Sequence, residues 1–408
     1  MSPVTKTSSG GFSLLELLIA LVVGLIVIGA AVQLYSSAMD ATWVVQQRSE
    51  MQQDLRAAEN MILKDLSLAG SGLNGVNSES VPLPVTSGTP LFGCTTASPC
   101  SPAFTYPCIG GACSVANPPT LFPIMPGYQK GITPPGAGTK TDIITVVYSD
   151  TNLALNCYSG TLNPITFNVT GNVLTFQAPP NPPPTSCVMP AGQTYPIPLN
   201  DPVSGLKAGD LVMVGPSKNG GLLGIGEITA VSPAGVVGAV PTPCTGSPCT
   251  GGSTYTITFA DNDPLKLNQA GKQNDLTATS ASTAGVPVTR IFVITYYLGN
   301  WTDAAGNITT VLYRQVNGQP AVPLVDNIAN MQFTYDTYAA DGTLLNASGD
   351  GGEAGGTSPS LIRKVNLAHL TIRSQLYGAR GGYMNKGYQS FDVQTSISAR
   401  NLSYNNRY

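Results

Sequence analysis

The chain has 408 residues with a net charge of −3, and only 10% of its side chains are charged. This weakly acidic composition offers no broad basic surface for phosphates, so nucleic-acid binding is not expected. Gly (45 residues) and Pro (33 residues) are abundant, which indicates many turns and long loops rather than stacked helices. The length allows one large domain or two modest domains with a real core.

Residues 12–35 form the most apolar stretch of the chain. From Phe12 to Val32 the only polar side chains are Ser13 and Glu16. As a helix, the 21 residues from Phe12 to Val32 span roughly 30 Å, about the thickness of the hydrocarbon layer of a bilayer. An ionised carboxylate inside such a helix is costly, so we predict a functional partner for Glu16.

A short leader, residues 1–11, precedes this helix and ends in Gly10-Gly11. A secretory signal peptide would carry its small-residue cleavage site after the apolar segment, whereas here the small residues come before it. Cleavage after Gly11 would keep the helix. It would also give Phe12 a new α-amino group about one helical turn from Glu16.

The segment Gly11-Phe12-Ser13-Leu14-Leu15-Glu16 resembles the prepilin cleavage and methylation motif of type IV pilins and of type II secretion pseudopilins. The resemblance implies that Gly11 is the last leader residue, that prepilin peptidase cuts there, and that Phe12 becomes the N-methylated terminus. Glu16 corresponds to the acid that is characteristic of this family. Major pilins usually carry a proline midway along the helix, and Gln33 holds that place here, which favours a minor pilin. The alternative is an ordinary single-span anchor that matches by chance.

Residues 36–70 are predicted to continue the helix beyond the membrane. No Pro or Gly occurs from Ser36 to Ala69, and apolar side chains recur at helical spacing at Val44, Met51, Leu55, Ala58, Ile62, Leu66 and Ala69. Polar side chains, Asp65 among them, are predicted to line the opposite face, and Gly70-Ser71-Gly72 is a stop signal. We expect one helix whose second half packs on a globular head. A coiled-coil stalk is the alternative, but the stripe is too short for sustained heptads.

All eight cysteines lie beyond the spanning helix. Three couples are close in sequence, namely Cys94 with Cys100, Cys108 with Cys113 and Cys244 with Cys249, and Cys157 with Cys187 is the pair left over. The spacings are unlike those of a zinc knuckle, and the sole histidine, His369, is far away in sequence, so disulfides in an oxidising periplasm or cell exterior are predicted. Eight cysteines allow 105 pairings in principle, so the connectivity stays open.

Residues 71–141 are rich in Cys, Pro and Gly and are predicted to form a long loop region pinned by disulfides. Residues 142–408 contain short alternating apolar runs and are predicted to form an antiparallel β-rich head, with residues 346–357 as a mobile loop. The predicted strands are 142–148, 165–169, 173–176, 206–214, 228–231, 255–259, 290–298, 310–315, 331–335, 364–373 and 391–399. The expected fold class is α+β, with the long N-terminal hydrophobic helix packed on this head.

Several head segments resemble PilW-type minor pilins of type IV pilus assembly. They are Ala69-Gly70, Gly209-Asp210, Thr295–Leu298, Leu312–Arg314, Leu324–Tyr335 and Ala399–Leu402. The likeness runs in patches over most of the chain, whereas the Cys-rich stretch from Cys94 to Cys113 is an embellishment.

Enzymatic activity is not expected, because the chain has neither a Gly-x-Ser-x-Gly elbow nor a phosphate-binding loop, and one histidine cannot build a His-containing metal cluster. Asp261, Asn262 and Asp263 group hard oxygen ligands that could chelate calcium. They lack the twelve-residue calcium-loop pattern, and a solvated turn is predicted instead. No cofactor or metal is expected.

These features and the resemblance together predict a structural subunit, a minor pilin that crosses the inner membrane once and places its head in the periplasm before it joins a pilus. The implied partners are other minor and major pilins, prepilin peptidase, the inner-membrane assembly platform and the membrane itself. Two alternatives stay open. They are a pseudopilin of type II secretion and an adhesin or binding module carried on a pilus.

Overall fold

The structure is a computed structural model. It describes residues 11, 13–73, 81–83, 90, 92–93, 105–107, 119–135, 138–150, 153, 155–158, 166–168, 172–183, 185, 187, 189, 191–214, 224–236, 240–245, 251–268, 288–302, 304, 306–339, 341–350, 359–375, 387–399 and 402. The chain divides into two compact units. The first combines residues 1–53 with 373–391, and the second combines residues 54–372 with 392–408.

One long helix, α1, runs from Leu14 to Leu68 and comprises 55 residues. It confirms the predicted continuous helix, and it ends where the glycines predict. Gly70 has a φ of +75°, and a Cβ added there would lie 2.9 Å from Leu402 Cδ2, so this position requires glycine. The amide of Gly70 also donates to Val147 O at 2.9 Å, which joins the end of the helix to the head.

The two halves of α1 have opposite surroundings. Its first half exposes its apolar side chains, and α1 is long and apolar enough to cross a membrane. In its second half every residue of the predicted apolar stripe is buried, with exposures of 7% or less. The stripe is therefore confirmed residue by residue at Val44, Met51, Leu55, Ala58, Ile62, Leu66 and Ala69.

Sixteen strands follow in the described residues. They are β1 (Val81–Pro82), β2 (Thr120–Leu121), β3 (Ile124–Gly127), β4 (Ile143–Ser149), β5 (Thr166–Asn168), β6 (Val173–Gln177), β7 (Leu211–Val214), β8 (Gly224–Ser232), β9 (Thr254–Phe259), β10 (Val288–Thr302), β11 (Ile308–Val316), β12 (Val322–Asp326), β13 (Ile328–Tyr338), β14 (Leu344–Gly349), β15 (Ile362–Arg373) and β16 (Ser390–Ser398). Two short 3-10 helices cover Leu155–Cys157 and Pro359–Leu361.

The strands form three sheets. A ten-stranded sheet has the order β12-β11-β10-β7-β8-β9-β6-β5, and β4 joins it by pairing with β10 and with β3. A four-stranded sheet has the order β14-β13-β15-β16, and β1 pairs with β2. The paired strands from β3 to β13 run antiparallel, as β10 and β4 do with Val293 opposite Val147. The predicted α+β class with an antiparallel head is therefore observed.

The structure differs from the sequence expectation in several segments, and β12 is a strand that the sequence did not predict. β2 and β3 lie in the region predicted as loop, where Phe92 and Phe122 are fully buried in the core of the second unit. β7 begins only at Leu211, because Lys207 to Asp210 form a turn in which the Lys207 amide donates to Asp210 Oδ2 at 3.0 Å. β14 occupies part of the predicted mobile loop, and residues 351–357 of that loop lie outside the described residues.

Asp65 was predicted to lie on the polar face of the helix, but its side chain is buried, with 3% exposure. Its Oδ2 accepts hydrogen bonds from Tyr296 Oη at 2.6 Å and from Arg314 Nε at 2.8 Å. Tyr296 is on β10 and Arg314 is on β11. A charge-assisted pair therefore fixes the end of α1 against the centre of the large sheet.

We predict that Asp65→Asn lowers the free energy of unfolding by about 2–3 kcal/mol. The substitution leaves the Arg314 guanidinium without its counter-charge, and because Arg314 is a quarter exposed the cost is below the roughly 3–5 kcal/mol of a fully buried pair. Denaturation of the full-length protein in detergent, followed by circular dichroism, measures this loss. The matched control Glu59→Gln, on a partly exposed position of α1, should change stability by less than about 0.5 kcal/mol. Equal stability of Asp65→Asn and wild type would contradict the prediction.

The predicted solvated turn is observed at Asp261 and Asn262, which are exposed, whereas Asp263 is buried at 2% exposure. Its carboxylate accepts the amides of Leu265 at 2.9 Å, Leu267 at 2.8 Å and Asn268 at 2.6 Å. Burial nevertheless raises the pKa of Asp263 from 3.8 to about 6, because the charged form loses its hydration. This carboxyl organises a turn of its own chain.

We predict that Asp263 makes stability depend on pH. Because its pKa is higher in the folded chain, its stabilising contribution is fully present below pH 3.8 and is lost as pH rises through about 6. The stability of wild type relative to Asp263→Asn should therefore fall by about 3 kcal/mol between about pH 4 and pH 7. Denaturation at both pH values tests this, with the exposed neighbour Asp261→Asn as a control that keeps the wild-type slope. A pH-independent difference for Asp263→Asn would show that this carboxyl does not titrate in that range.

Candidate processing and assembly site

Ser13 and Glu16 form the first turn of α1. Ser13 Oγ accepts the amide of Glu16 at 3.2 Å, and Glu16 Oε2 accepts the amide of Ser13 at 3.5 Å. This reciprocal arrangement is a capping box, which satisfies amides that a helix otherwise leaves without partners at its start. The sequence signal for the capping box is the Ser-x-x-Glu spacing before an apolar run. The cleavage and methylation motif had predicted a role for Glu16 in assembly alone.

The backbone before the helix is accessible. Gly11 is exposed, and a Cβ added to it would meet no atom within 4 Å. Phe12, the predicted new terminus, lies outside the described residues. Gly11 is thus accessible to an enzyme. No packing contact in the described chain requires glycine at this position.

Glu16 is the one charged side chain on the first half of α1, from Leu14 to Met39. The apolar residues around it are exposed, with Leu14 at 83% and Leu15 at 69%. Such a surface has to be covered by lipid or by other helices, and in either medium an unpaired carboxylate is unfavourable. A carboxylate in such surroundings is stabilised by a cation, whereas in the single chain its hydrogen-bond partner is the amide of Ser13.

The structure describes three of the eight predicted disulfide cysteines. Cys157 and Cys187 form a disulfide, in agreement with the pair left over by the sequence spacing. Cys244 is disulfide-bonded as well. The other five lie outside the described residues, and they are Cys94, Cys100, Cys108, Cys113 and Cys249.

The predicted disulfide framework is thus confirmed for one pair only. The partner of Cys244 is one of the five cysteines outside the described residues, so its pairing with Cys249 stays a prediction. The same holds for the pair of Cys94 with Cys100 and for the pair of Cys108 with Cys113. The expectation that these local pairs pin residues 71–141 therefore also stays a prediction.

The sole histidine of the chain, His369, contacts a carboxylate on the neighbouring strand. His369 Nδ1 lies 2.9 Å from Asp392 Oδ2, and Thr371 Oγ1 donates to Asp392 Oδ1 at 2.7 Å, so this group is a cross-strand contact between β15 and β16. Within the described ranges, no group of three or more His, Cys, Asp or Glu side chains is arranged to hold a metal ion.

Comparison with known proteins gives one match. Residues 6–32 match the family model described as the prokaryotic N-terminal methylation motif. This match covers the end of the leader from Lys6 to Gly11, together with Phe12, Glu16 and the apolar start of α1. It supports a protein of the prepilin class of type IV pilins and pseudopilins, whose members are structural subunits processed by prepilin peptidase. No curated protein and no solved structure matches the chain.

We predict that Ser13→Ala weakens the first turn of α1, because the amide of Glu16 loses its side-chain acceptor. The expected cost is about 1 kcal/mol, which corresponds to roughly fivefold faster hydrogen exchange of the first amides of the helix in micelles. Ser13→Thr keeps the hydroxyl and should retain most of the protection. Unchanged exchange in Ser13→Ala would show that the capping box does not stabilise this turn.

Proposed function

We propose that this protein is a minor pilin of a type IV pilus, inserted in the inner membrane as a prepilin and then processed and built into the pilus. The observation that carries the proposal is the N-terminal methylation motif at the start of an exposed apolar helix that continues without a break into a β-rich head. The chemistry of such a subunit is assembly rather than turnover of a substrate.

Processing would occur between Gly11 and Phe12. Prepilin peptidase would remove residues 1–11, and methylation would act on the new amino group of Phe12. The helix would then remain in the membrane with its head in the periplasm until other pilins and the assembly platform take it up.

Assembly would exchange the partner of Glu16. In the single chain its carboxylate accepts the amide of Ser13 at 3.5 Å, a long and therefore weak hydrogen bond. In a bundle of apolar helices, the ammonium of Phe12 from a neighbouring subunit would be equally stranded, so pairing of the two charges removes two unfavourable burials at once. The contact would bring subunits together in a defined register.

The large head favours a minor pilin over a main-shaft subunit, and Gln33 in the place of the usual helix proline points the same way. The patchwise resemblance to PilW-type minor pilins supports this choice. Two of the segments that carry it supply Tyr296 and Arg314, which hold Asp65 at the end of α1. Purification of the processed protein with its partners from membranes separates a pilus subunit from a type II secretion pseudopilin.

We predict that Gly11→Leu accumulates as uncut precursor. A side chain at residue 11 contacts nothing in the described chain, so folding should be unaffected and the block should arise in the peptidase. Electrophoresis of membranes from cells that express prepilin peptidase distinguishes the precursor from the shorter mature chain. Ser9→Leu, two residues further from the bond, serves as the matched control and should be cut. Normal cleavage of Gly11→Leu would argue against processing at this bond.

We predict that Glu16→Ala inserts in the membrane and is cleaved but fails to join the pilus. Removal of the acid eliminates a polar cost of insertion and keeps a good helix former, so insertion should survive or improve. The variant should accumulate in the inner membrane and be missing from sheared pili, and its methylation state should be measured alongside. Glu50→Ala, which removes an exposed carboxylate from the same helix, should assemble normally. Normal incorporation of Glu16→Ala would mean that Glu16 is not the docking charge.

A further inference from the structure

The first unit, which contains the apolar half of α1, has five basic and three acidic side chains and so a net charge of +2. Residues 373–391 carry three basic side chains and no acidic one, in a chain whose net charge is −3. Arg373 is among the described residues, whereas Arg380 and Lys386 lie outside them. The second unit has 14 basic and 19 acidic side chains, so its net charge is −5. The charge of the chain is therefore divided between its units.

The apolar surface of α1 continues past the predicted span. Tyr35, Met39 and Trp43 follow each other at intervals of four and are exposed at 68%, 43% and 49%. From Leu17 to Trp43 the helix is about 39 Å long, close to the roughly 40–45 Å of a bilayer with its headgroup regions. With Glu16 at one interface, Trp43 lies at the headgroup level of the other, where tryptophan is enriched.

Arg48 lies about 7.5 Å beyond Trp43 along the helix, just outside the headgroup level. Its Nε donates to Gln389 Oε1 at 3.1 Å, which ties Arg48 to residues 387–391. A groove of about 320 Å³ lies here, lined by Arg48, Met51, Gln52, Gln389, Ser390 and Phe391. The groove thus combines a cation with apolar side chains.

Arg373, Tyr388 and Phe391 add aromatic and basic side chains in the same unit. The Arg373 guanidinium lies 4.7 Å from the centre of the Tyr388 ring, and Phe391 is 40% exposed. Cations together with partly exposed aromatic rings are typical of protein surfaces that meet lipid headgroups, because the rings enter the interface while the cations contact phosphates.

We propose that the neck surface, defined as Trp43, Arg48, Arg373, Tyr388 and Phe391, binds the headgroups of anionic phospholipids on the side of the membrane that carries the head. Arg48 receives the phosphate in the groove, and Arg373 adds attraction at the same surface. A lipid partner is favoured over a protein partner because the surface continues directly from the lipid-spanning part of α1 and because its charge is opposite to that of an anionic leaflet. The inference rests on the proposed insertion of α1 in a membrane.

Tryptophan fluorescence tests the neck surface in the full-length protein. The chain has two tryptophans, so Trp301→Phe leaves Trp43 as the sole reporter. The protein is reconstituted in two sets of phosphatidylcholine vesicles. One set contains brominated phosphatidylglycerol and the other contains the same mole fraction of brominated phosphatidylcholine. In both brominated lipids the bromine lies near the ester end of the acyl chain. We expect stronger quenching by the brominated phosphatidylglycerol, with an affinity preference of about fivefold for each basic side chain engaged, and a smaller preference at high salt.

Substitutions separate the neck from general charge. Arg48→Gln and Arg373→Gln should each reduce the preference about fivefold, whereas Arg56→Gln, an exposed arginine of α1 in the second unit, should leave it unchanged. Equal quenching by the two brominated lipids, or a preference that survives both neck substitutions, would overturn the inference. Flotation of the vesicles reports insertion independently. Protein that fails to float would contradict the proposed membrane subunit, whereas floating protein without lipid preference would contradict the neck surface alone.

Discussion

One continuous helix has to satisfy two different surroundings. The first half of α1 exposes apolar side chains that only lipid or other helices can cover, and the second half buries a narrow apolar stripe. Because the helix has no break from Leu14 to Leu68, a single element carries both kinds of surface. The Asp65 contacts with Tyr296 and Arg314 attach the end of the helix to β10 and β11 of the large sheet.

The other constraint on α1 is the carboxylate at its start. Ser13 and Glu16 cap each other across the first turn, which gives Glu16 a local partner in the isolated chain. The contact is neutral on the Ser13 side, so it does not compensate the charge in an apolar medium. A neighbouring ammonium does, and in the proposed assembly this difference favours the filament over the single chain.

Helical periodicity made the most accurate predictions, because burial in a helix follows a simple repeat and all seven stripe residues are buried. The same repeat places Asp65, three residues after Ile62 and four before Ala69, on the buried side, where its residue type had suggested solvent. β14 could not be predicted, since its side chains are largely exposed and backbone pairing with β13 alone defines it. The sequence prediction used Ser13 only as part of the cleavage and methylation motif, although the Ser-x-x-Glu spacing to Glu16 already specifies a helix cap.

In the proposed processing, the mature protein begins at Phe12, with a new amino group about one helical turn from Glu16. Intact-mass analysis and N-terminal sequencing of the protein purified from membranes of its own cells test this most directly. We expect a chain that starts at Phe12, has lost residues 1–11 and carries a methyl group on its terminal nitrogen. A mature chain that starts at Met1, or at any residue after Val32, would contradict it.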